Sequence, residues 1–216
     1  FINMTRNCNF RCVYCYEEGK YNHDYLSEKN AQKILEFIKE LKNSNFFIKE
    51  YSIIRLTFFG GEPLLNKNIV EMVALAKRRG FFVDFDTDGI LLNEEISRKL
   101  ISAGLDELTI SLHGMTEKDY ESIHGSKNFH QVIKNINSLI HEKEIMGTHN
   151  PHIVIQSALM DRNQDHFNMI KSLFREGEVG FSLVNCGYNP HVHKADYRVN
   201  KKNFERKLPC SSLYLM

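Results

Sequence analysis

Three of the five cysteines stand within eight positions, in the run Cys8-Asn9-Phe10-Arg11-Cys12-Val13-Tyr14-Cys15. Disulfide geometry is specific, so cysteines packed this closely in sequence pair poorly with one another. Thiolates converging in one loop instead suit a soft metal or an iron–sulfur cluster. Either implies a reducing compartment, which points to the cytoplasm. A C-x3-C-x2-C loop offers three thiolates to a four-iron cubane and leaves one iron without a protein ligand. Such an open position can bind and activate a ligand, whereas a fully ligated cluster mainly transfers electrons. The alternative is a structural zinc site, which wants four ligands, with His23 able to supply the fourth.

The elements that must position these residues read as alternating strands and helices. Phe1–Thr5 ends a strand that runs into the cysteine loop. Ser27–Lys42 is a helix capped by Ser27, with Ala31, Ile34, Leu35, Ile38 and Leu41 at helical spacing. Tyr51–Phe59 is a strand ending at Gly60-Gly61, and Asn68–Arg79 a helix stopped by Gly80. Phe81–Asp86, Glu107–Leu112, Ile153–Leu159 and Val179–Val184 follow as strands. Helices are expected over Glu94–Ala103 (capped by Asn93, stopped by Gly104), Thr116–His124, Phe129–Lys143 and Asp165–Arg175. Regular β–α alternation implies a parallel α/β sheet with right-handed crossovers. Six units at this spacing fit a partial, open (β/α)6 TIM-like barrel, with a doubly wound sheet as the alternative. In either, chemistry gathers at the carboxyl ends of the strands. The cysteine loop, Gly60-Gly61-Glu62-Pro63, Thr87-Asp88-Gly89 and Ser111–Gly114 all fall there.

The chain has 216 residues, 28 Lys and Arg against 27 Asp and Glu, and a net charge of +1. That length can bury a substantial core. The neutral balance argues against a nucleic-acid partner held by a basic surface, and no run approaches the roughly 18 apolar residues of a membrane span. The chain begins with Phe1, already in a strand, and stops inside an apolar run, so it is expected to be a catalytic core cut from a longer protein. Residues 1–186 form that core and 187–216 an extension.

With these motifs in order, one per strand end, the sequence resembles the radical S-adenosylmethionine (radical SAM) superfamily over essentially its whole length. CNFRCVYC matches the three-cysteine signature, including the aromatic Tyr14 before the last cysteine. GGEP at Gly60–Pro63 matches the second motif. TDG at Thr87–Gly89 resembles a third motif that usually reads Thr-Asn-Gly, and SLHG at Ser111–Gly114 one that often reads Ser-Leu-Asp-Gly. Asp88 and His113 are the departures.

The resemblance implies that Cys8, Cys12 and Cys15 hold a [4Fe-4S] cluster whose unique iron binds S-adenosylmethionine. Reductive cleavage then gives a 5′-deoxyadenosyl radical that abstracts hydrogen from a substrate. Gly60 and Gly61 would let the ligand approach their backbone, and Glu62 would pair with its ammonium, or else be a surface carboxylate in a turn. Tyr14 can pack against adenine or be a core tyrosine. Ser111 can bond a ribose hydroxyl or its own backbone, and Thr87 and Asp88 can line the site or merely form the turn. Family members often place an arginine near position 124 to contact the ligand carboxylate; His124 stands there and is the candidate for that contact, although a neutral histidine donates fewer bonds than a guanidinium. Arg162 can compensate, or be a solvated loop residue.

The run Leu208–Met216 resembles the entry to a C-terminal SPASM-type domain, with Cys210 the first ligand of an auxiliary cluster or, alternatively, a buried free cysteine. Cys186 reads as an ordinary strand-end thiol, and His191 and His193 as surface histidines. The expected substrate is a peptide or protein, as in maturase-like enzymes, with a flavodoxin or ferredoxin as electron donor. A small molecule of cofactor biosynthesis is the second option. A non-catalytic iron–sulfur or zinc-binding regulatory module is the third.

Overall fold

The computed structural model describes residues 1–15, 24–43, 53–160 and 166–186. Six strands, β1 (Ile2–Thr5), β2 (Arg55–Gly60), β3 (Phe82–Thr87), β4 (Glu107–Ser111), β5 (His152–Leu159) and β6 (Gly180–Asn185), alternate with helices. The helices are α1 (Glu28–Asn43), α2 (Ile69–Arg78), α3 (Glu94–Ala103), α4 (Glu117–His124), α5 (Phe129–Ile145) and α6 (His166–Lys171). Every strand pairs in parallel with its neighbour, in the order β1-β2-β3-β4-β5-β6. The order never reverses, which removes the doubly wound alternative, since that fold has a switch point. The sheet does not close, so β1 and β6 are its edges, and the architecture is the expected partial TIM-like barrel.

Strand alternation divides the sheet into two chemically different faces. Leu56, Phe58, Val83, Phe85, Leu108, Ile110, Ile153 and Ile155 project to one side and are buried in the same core as Met72, Val73, Leu100, Val132, Ile136 and Leu139 of the helices. Right-handed crossovers between sequential neighbours put all the helices on that side. The inner face carries Arg55, Thr57, Asp84, Asp86, Glu107, Thr109 and Gln156. There Arg55 Nε donates to Asp84 Oδ1 at 2.8 Å, its NH2 group to Glu107 Oε1 at 2.5 Å, and Thr57 Oγ1 to Asp84 Oδ1 at 3.1 Å.

Local chemistry sets the helix ends. Asn93 accepts from Ile96 N, Thr116 from Asp119 N and Ser27 from Asn30 N, each satisfying an orphan donor of a first turn. Gly104 and Gly125 close α3 and α4 at φ 83° and 67°, which other residues adopt only with strain. α6 is shorter than its periodicity predicts, because after Lys171 the backbone switches to i→i+3 hydrogen bonds at Ser172, Leu173 and Phe174. A 3-10 turn, Pro63–Leu65, is too short to show a periodicity, although Glu62 caps it and proline opens it. Among the described residues, no helix is long and apolar enough to cross a membrane.

Two buried amides tie loops to this frame. Asn66 Nδ2 donates to the carbonyls of Met4 and Leu26. Asn135 Nδ2, on α5, donates to the carbonyls of Gly89 at 2.9 Å and Ile90 at 3.0 Å. Replacing Asn135 by leucine takes this donor from both carbonyls, of which Gly89 O keeps only the longer bond from Leu92 N at 3.3 Å. Asn135→Leu is expected to cost about 2–3 kcal/mol, read as a lower urea midpoint at unchanged slope. An unaltered midpoint would show that the amide holds nothing.

Candidate functional site

The cysteine loop leaves β1 at the carboxyl edge of the sheet and is docked on two sides by backbone hydrogen bonds. On one side Gly61 N donates to Thr5 O, and Glu62 N to Asn7 O, both at 2.8 Å. The two glycines are needed for this approach. A Cβ on Gly60 would lie 2.1 Å from Thr5 O, and one on Gly61 2.0 Å from Asn7 O, while Gly60 also has φ 133°. The close approach these glycines permit is therefore made by the chain itself. On the other side, Arg11 N donates to His124 O at 3.2 Å and Val13 N to Ile123 O at 2.9 Å. These are carbonyls of the last turn of α4, which lack intrahelical donors and would otherwise need water. Arg11 also braces the loop by donating to the carbonyls of Cys8 and Phe10.

Glu62 is a buried hub rather than a surface carboxylate. Its Oε1 accepts from Leu64 N at 2.9 Å and from Thr87 Oγ1 at 2.8 Å, and its Oε2 from Asp88 N at 2.8 Å. Burial raises its pKa well above the carboxylate range, reinforced by the neighbouring Asp88 carboxylate. Thr87 Oγ1 in turn accepts from Gly89 N, and Asp88 Oδ1 from Ile90 N, so both residues build the turn as well as face the hub. Asp88 Oδ2 is buried and has no hydrogen-bond partner among the described residues. Burial pushes the Asp88 carboxyl up to about 6.

On the α4 side, aromatic rings stack beneath the loop. His124 is fully buried between His113, at 4.9 Å and 12°, and Tyr120, at 4.2 Å and 24°. Its Nδ1 lies 3.5 Å from Cys12 Sγ, and its Nε2 accepts from His113 N at 3.4 Å. Tyr14 meets His113 edge-on at 4.8 Å and lies beside Cys12. His113 Nδ1 accepts from Ala158 N, linking the end of β4 to β5. Burial lowers both histidines, His113 to about 3, so the rings are neutral. Tyr120 buries a hydroxyl with no partner among the described residues, and the charges of Asp88, Cys12 and Glu62 act on it.

Cys8, Cys12 and Cys15 are partly buried free thiols. Burial pushes Cys8 up to about 12 and Cys12 further, and neighbouring thiolates add to both. A metal centre must therefore displace protons from thiols that the bare protein holds neutral. Among the described residues, no three Cys, His, Asp or Glu side chains converge on one metal ion. The fourth ligand of the zinc alternative, His23, lies outside the described residues. The donor set fits an iron–sulfur cluster, and the unpartnered Asp88 oxygen beside buried Glu62 fits a cationic group next to it.

Ser111 ends β4 on the inner face, half-buried, and its hydroxyl has no hydrogen bond among the described residues. Cys186 is buried with Ile123, Ala158 and Met160, beside Tyr14. Arg162, Cys210, His23, His191 and His193 lie outside the described residues. Sequence reasoning did not single out Tyr120 or Asn135, which look like ordinary helix positions. His113 was visible only as a departure from a motif.

The family profile described as Radical SAM superfamily matches residues 2–155. A probable GTP 3′,8-cyclase of Saccharolobus islandicus (strain Y.N.15.51 / Yellowstone #2) is 36% identical over 140 residues, 64% of this chain and 42% of that protein. The Fe-coproporphyrin III synthase of Methanosarcina barkeri (strain Fusaro / DSM 804) is 31% identical over 115 residues, 53% of this chain and 27% of that protein. The chain thus spans less than half the length of these relatives. Streptococcus suis SuiB bound to S-adenosylmethionine has the same fold, with a TM-score of 0.70 at 14% identity, over 91% of this chain and 43% of that one. HydG, a maturase of the [FeFe]-hydrogenase, matches with a TM-score of 0.65 at 14% identity, over 92% and 45%.

The Asp88 shift has a measurable consequence. A carboxyl raised from 3.8 to about 6 makes the folded metal-free chain bind more protons than the unfolded chain between those values. Its contribution is therefore most favourable below pH about 4 and is lost as pH rises through about 6. Asp88→Asn keeps an oxygen for Ile90 N–H and removes the charge. It is expected to stabilise the metal-free chain by about 1–3 kcal/mol at pH 8 and to be neutral near pH 4. Thermal melts at both pH values check this, and an equal change at the two would refute it.

Proposed function

The chain belongs to the radical SAM superfamily, and on that premise we propose that Cys8, Cys12 and Cys15 hold a [4Fe-4S] cluster with S-adenosylmethionine beside it, serving hydrogen abstraction from a substrate on the inner face of the sheet. When bound, cluster and S-adenosylmethionine supply one-electron cleavage of the sulfonium and an organic radical able to take a hydrogen atom. The observation that carries the reading is the docking of the cysteine loop, by backbone bonds on both sides, against the buried Glu62–Asp88 carboxylates.

The chain's own residues have distinct tasks. The three thiolates fix the cluster at the carboxyl edge of β1. Glu62, with three hydrogen bonds already accepted, and the free oxygen of Asp88 form an anionic pocket for the ligand's ammonium. The Ser111 hydroxyl and the Tyr14 ring flank the same rim, for ribose and adenine. Phe10, 2% exposed, seals the loop against the core and keeps water from beneath it. His124 faces Cys12, so its ring is not a substitute for the family's arginine. Arg162 remains the candidate for that carboxylate contact. A flavodoxin or ferredoxin is the fitting electron donor.

For the substrate, the named activities of the relatives favour a small molecule. The cluster of Arg55, Asp84 and Glu107 lies at the amino ends of the strands, away from that rim, so it does not narrow the class. The second reading, a peptide or protein substrate of a maturase-like enzyme, is favoured by Cys210 in its SPASM-like context within the 187–216 extension.

Anaerobic reconstitution with iron and sulfide, then dithionite and S-adenosylmethionine, is expected to give methionine and 5′-deoxyadenosine. Cys12→Ala is expected to lose both the visible iron–sulfur absorbance and the product. A reconstituted cluster that never yields 5′-deoxyadenosine would leave the non-catalytic module standing instead.

A further inference from the structure

His124 is engaged at both ring nitrogens, and the two contacts together fix its proton. Nε2 accepts from the backbone N–H of His113 at 3.4 Å. In a neutral imidazole the accepting nitrogen is bare, so the proton sits on Nδ1. Nδ1 is the atom 3.5 Å from Cys12 Sγ. Turning the ring over would replace both nitrogens by C–H groups and lose both contacts. The ring is 0% exposed and held between His113 and Tyr120, so the orientation is enforced by packing as well.

Cys12 differs in this from Cys8, whose sulfur accepts the backbone N–H of Phe10 at 3.4 Å. The Cys12 sulfur faces a side-chain donor, His124 Nδ1. A donor aimed at a thiolate stabilises negative charge on it, and a cluster's charge becomes more negative on reduction. Hydrogen bonds to the sulfurs are among the levers that set an iron–sulfur potential.

We propose that His124 is a positioning residue for the cluster, donating an Nδ1–H hydrogen bond to the Cys12 thiolate that raises the cluster's reduction potential and makes the centre easier to reduce. The inference rests on the reading that Cys8, Cys12 and Cys15 hold a [4Fe-4S] cluster. It gives the family's arginine position a different job in this chain: electronic tuning of a ligand sulfur from below the loop.

The experiment is an EPR-monitored redox titration of the reconstituted protein without S-adenosylmethionine. If wild-type protein forms no [4Fe-4S] cluster, the underlying reading fails and takes this inference with it. With the cluster formed, His124→Phe keeps the stacked ring and removes the donor. It is expected to lower the one-electron equilibrium constant for reduction about threefold to tenfold, equal to about 30–60 mV. His124→Asn places an amide N–H where Nδ1 stood and is expected to restore the wild-type potential, although it abolishes the stack. A packing role would order the variants the other way, with Phe normal and Asn impaired, and that result overturns the proposal. So does an unchanged potential in His124→Phe. Should the variants fail to fold, wild-type protein with 15N-labelled histidine decides: the reduced cluster is expected to show a hyperfine coupling to histidine nitrogen, and its absence overturns the proposal.

Discussion

The structure depends on how one loop of irregular backbone is held. A segment carrying three thiols that must keep set positions cannot be left to wander, yet it has no secondary structure of its own to stiffen it. It is held instead by lending its backbone groups to its neighbours. Thr5 and Asn7 offer carbonyls to the turn after β2, while Arg11 and Val13 offer N–H groups to the exposed end of α4. The first arrangement requires two residues without Cβ at Gly60 and Gly61. The second requires a helix that stops where its terminal carbonyls face the loop, which Gly125 ensures. Motif residues separated by more than a hundred positions are thus parts of one hydrogen-bonded assembly.

The polar interior beneath this assembly is unusual in its balance. Glu62 and Asp88 place two carboxylates in buried positions, and His113 and His124 lie neutral a short way off. Burial lifts the carboxyls and lowers the imidazoles, so both kinds of group drift toward neutrality in the bare protein. A buried carboxylate oxygen with no donor is costly in isolation. A cationic partner is the kind of group that offsets such a cost.

The sheet separates two functions by strand parity. One set of alternating residues welds strands to helices through a continuous apolar core. The other set faces inward with acids, hydroxyls and one arginine already engaged in ion pairs. Among the described residues the sheet stays open between β1 and β6. The rim collects the strand-end motifs, and the inner face adjoins them directly.

Much of this was legible in the sequence. The β–α alternation, the monotonic sheet, the caps at Ser27, Asn93 and Thr116, and the convergence of the motifs at one rim all follow from local spacing. Periodicity and capping act over a few residues, and a parallel crossover has one favoured hand. Long-range partnerships are different, because they join residues whose types carry no mark of each other. That Gly60 and Gly61 make room for Thr5 and Asn7, that Glu62 binds Thr87 and Asp88, and that buried Asn135 reaches Gly89 were set by packing alone. The sequence by itself determined which thiols could gather and on which edge of the sheet. Only the tertiary structure decided that His124 turns Nδ1 toward Cys12, because that orientation depends on the backbone N–H and the ring of His113, brought in from the end of β4 to meet a helix that supplies only Tyr120.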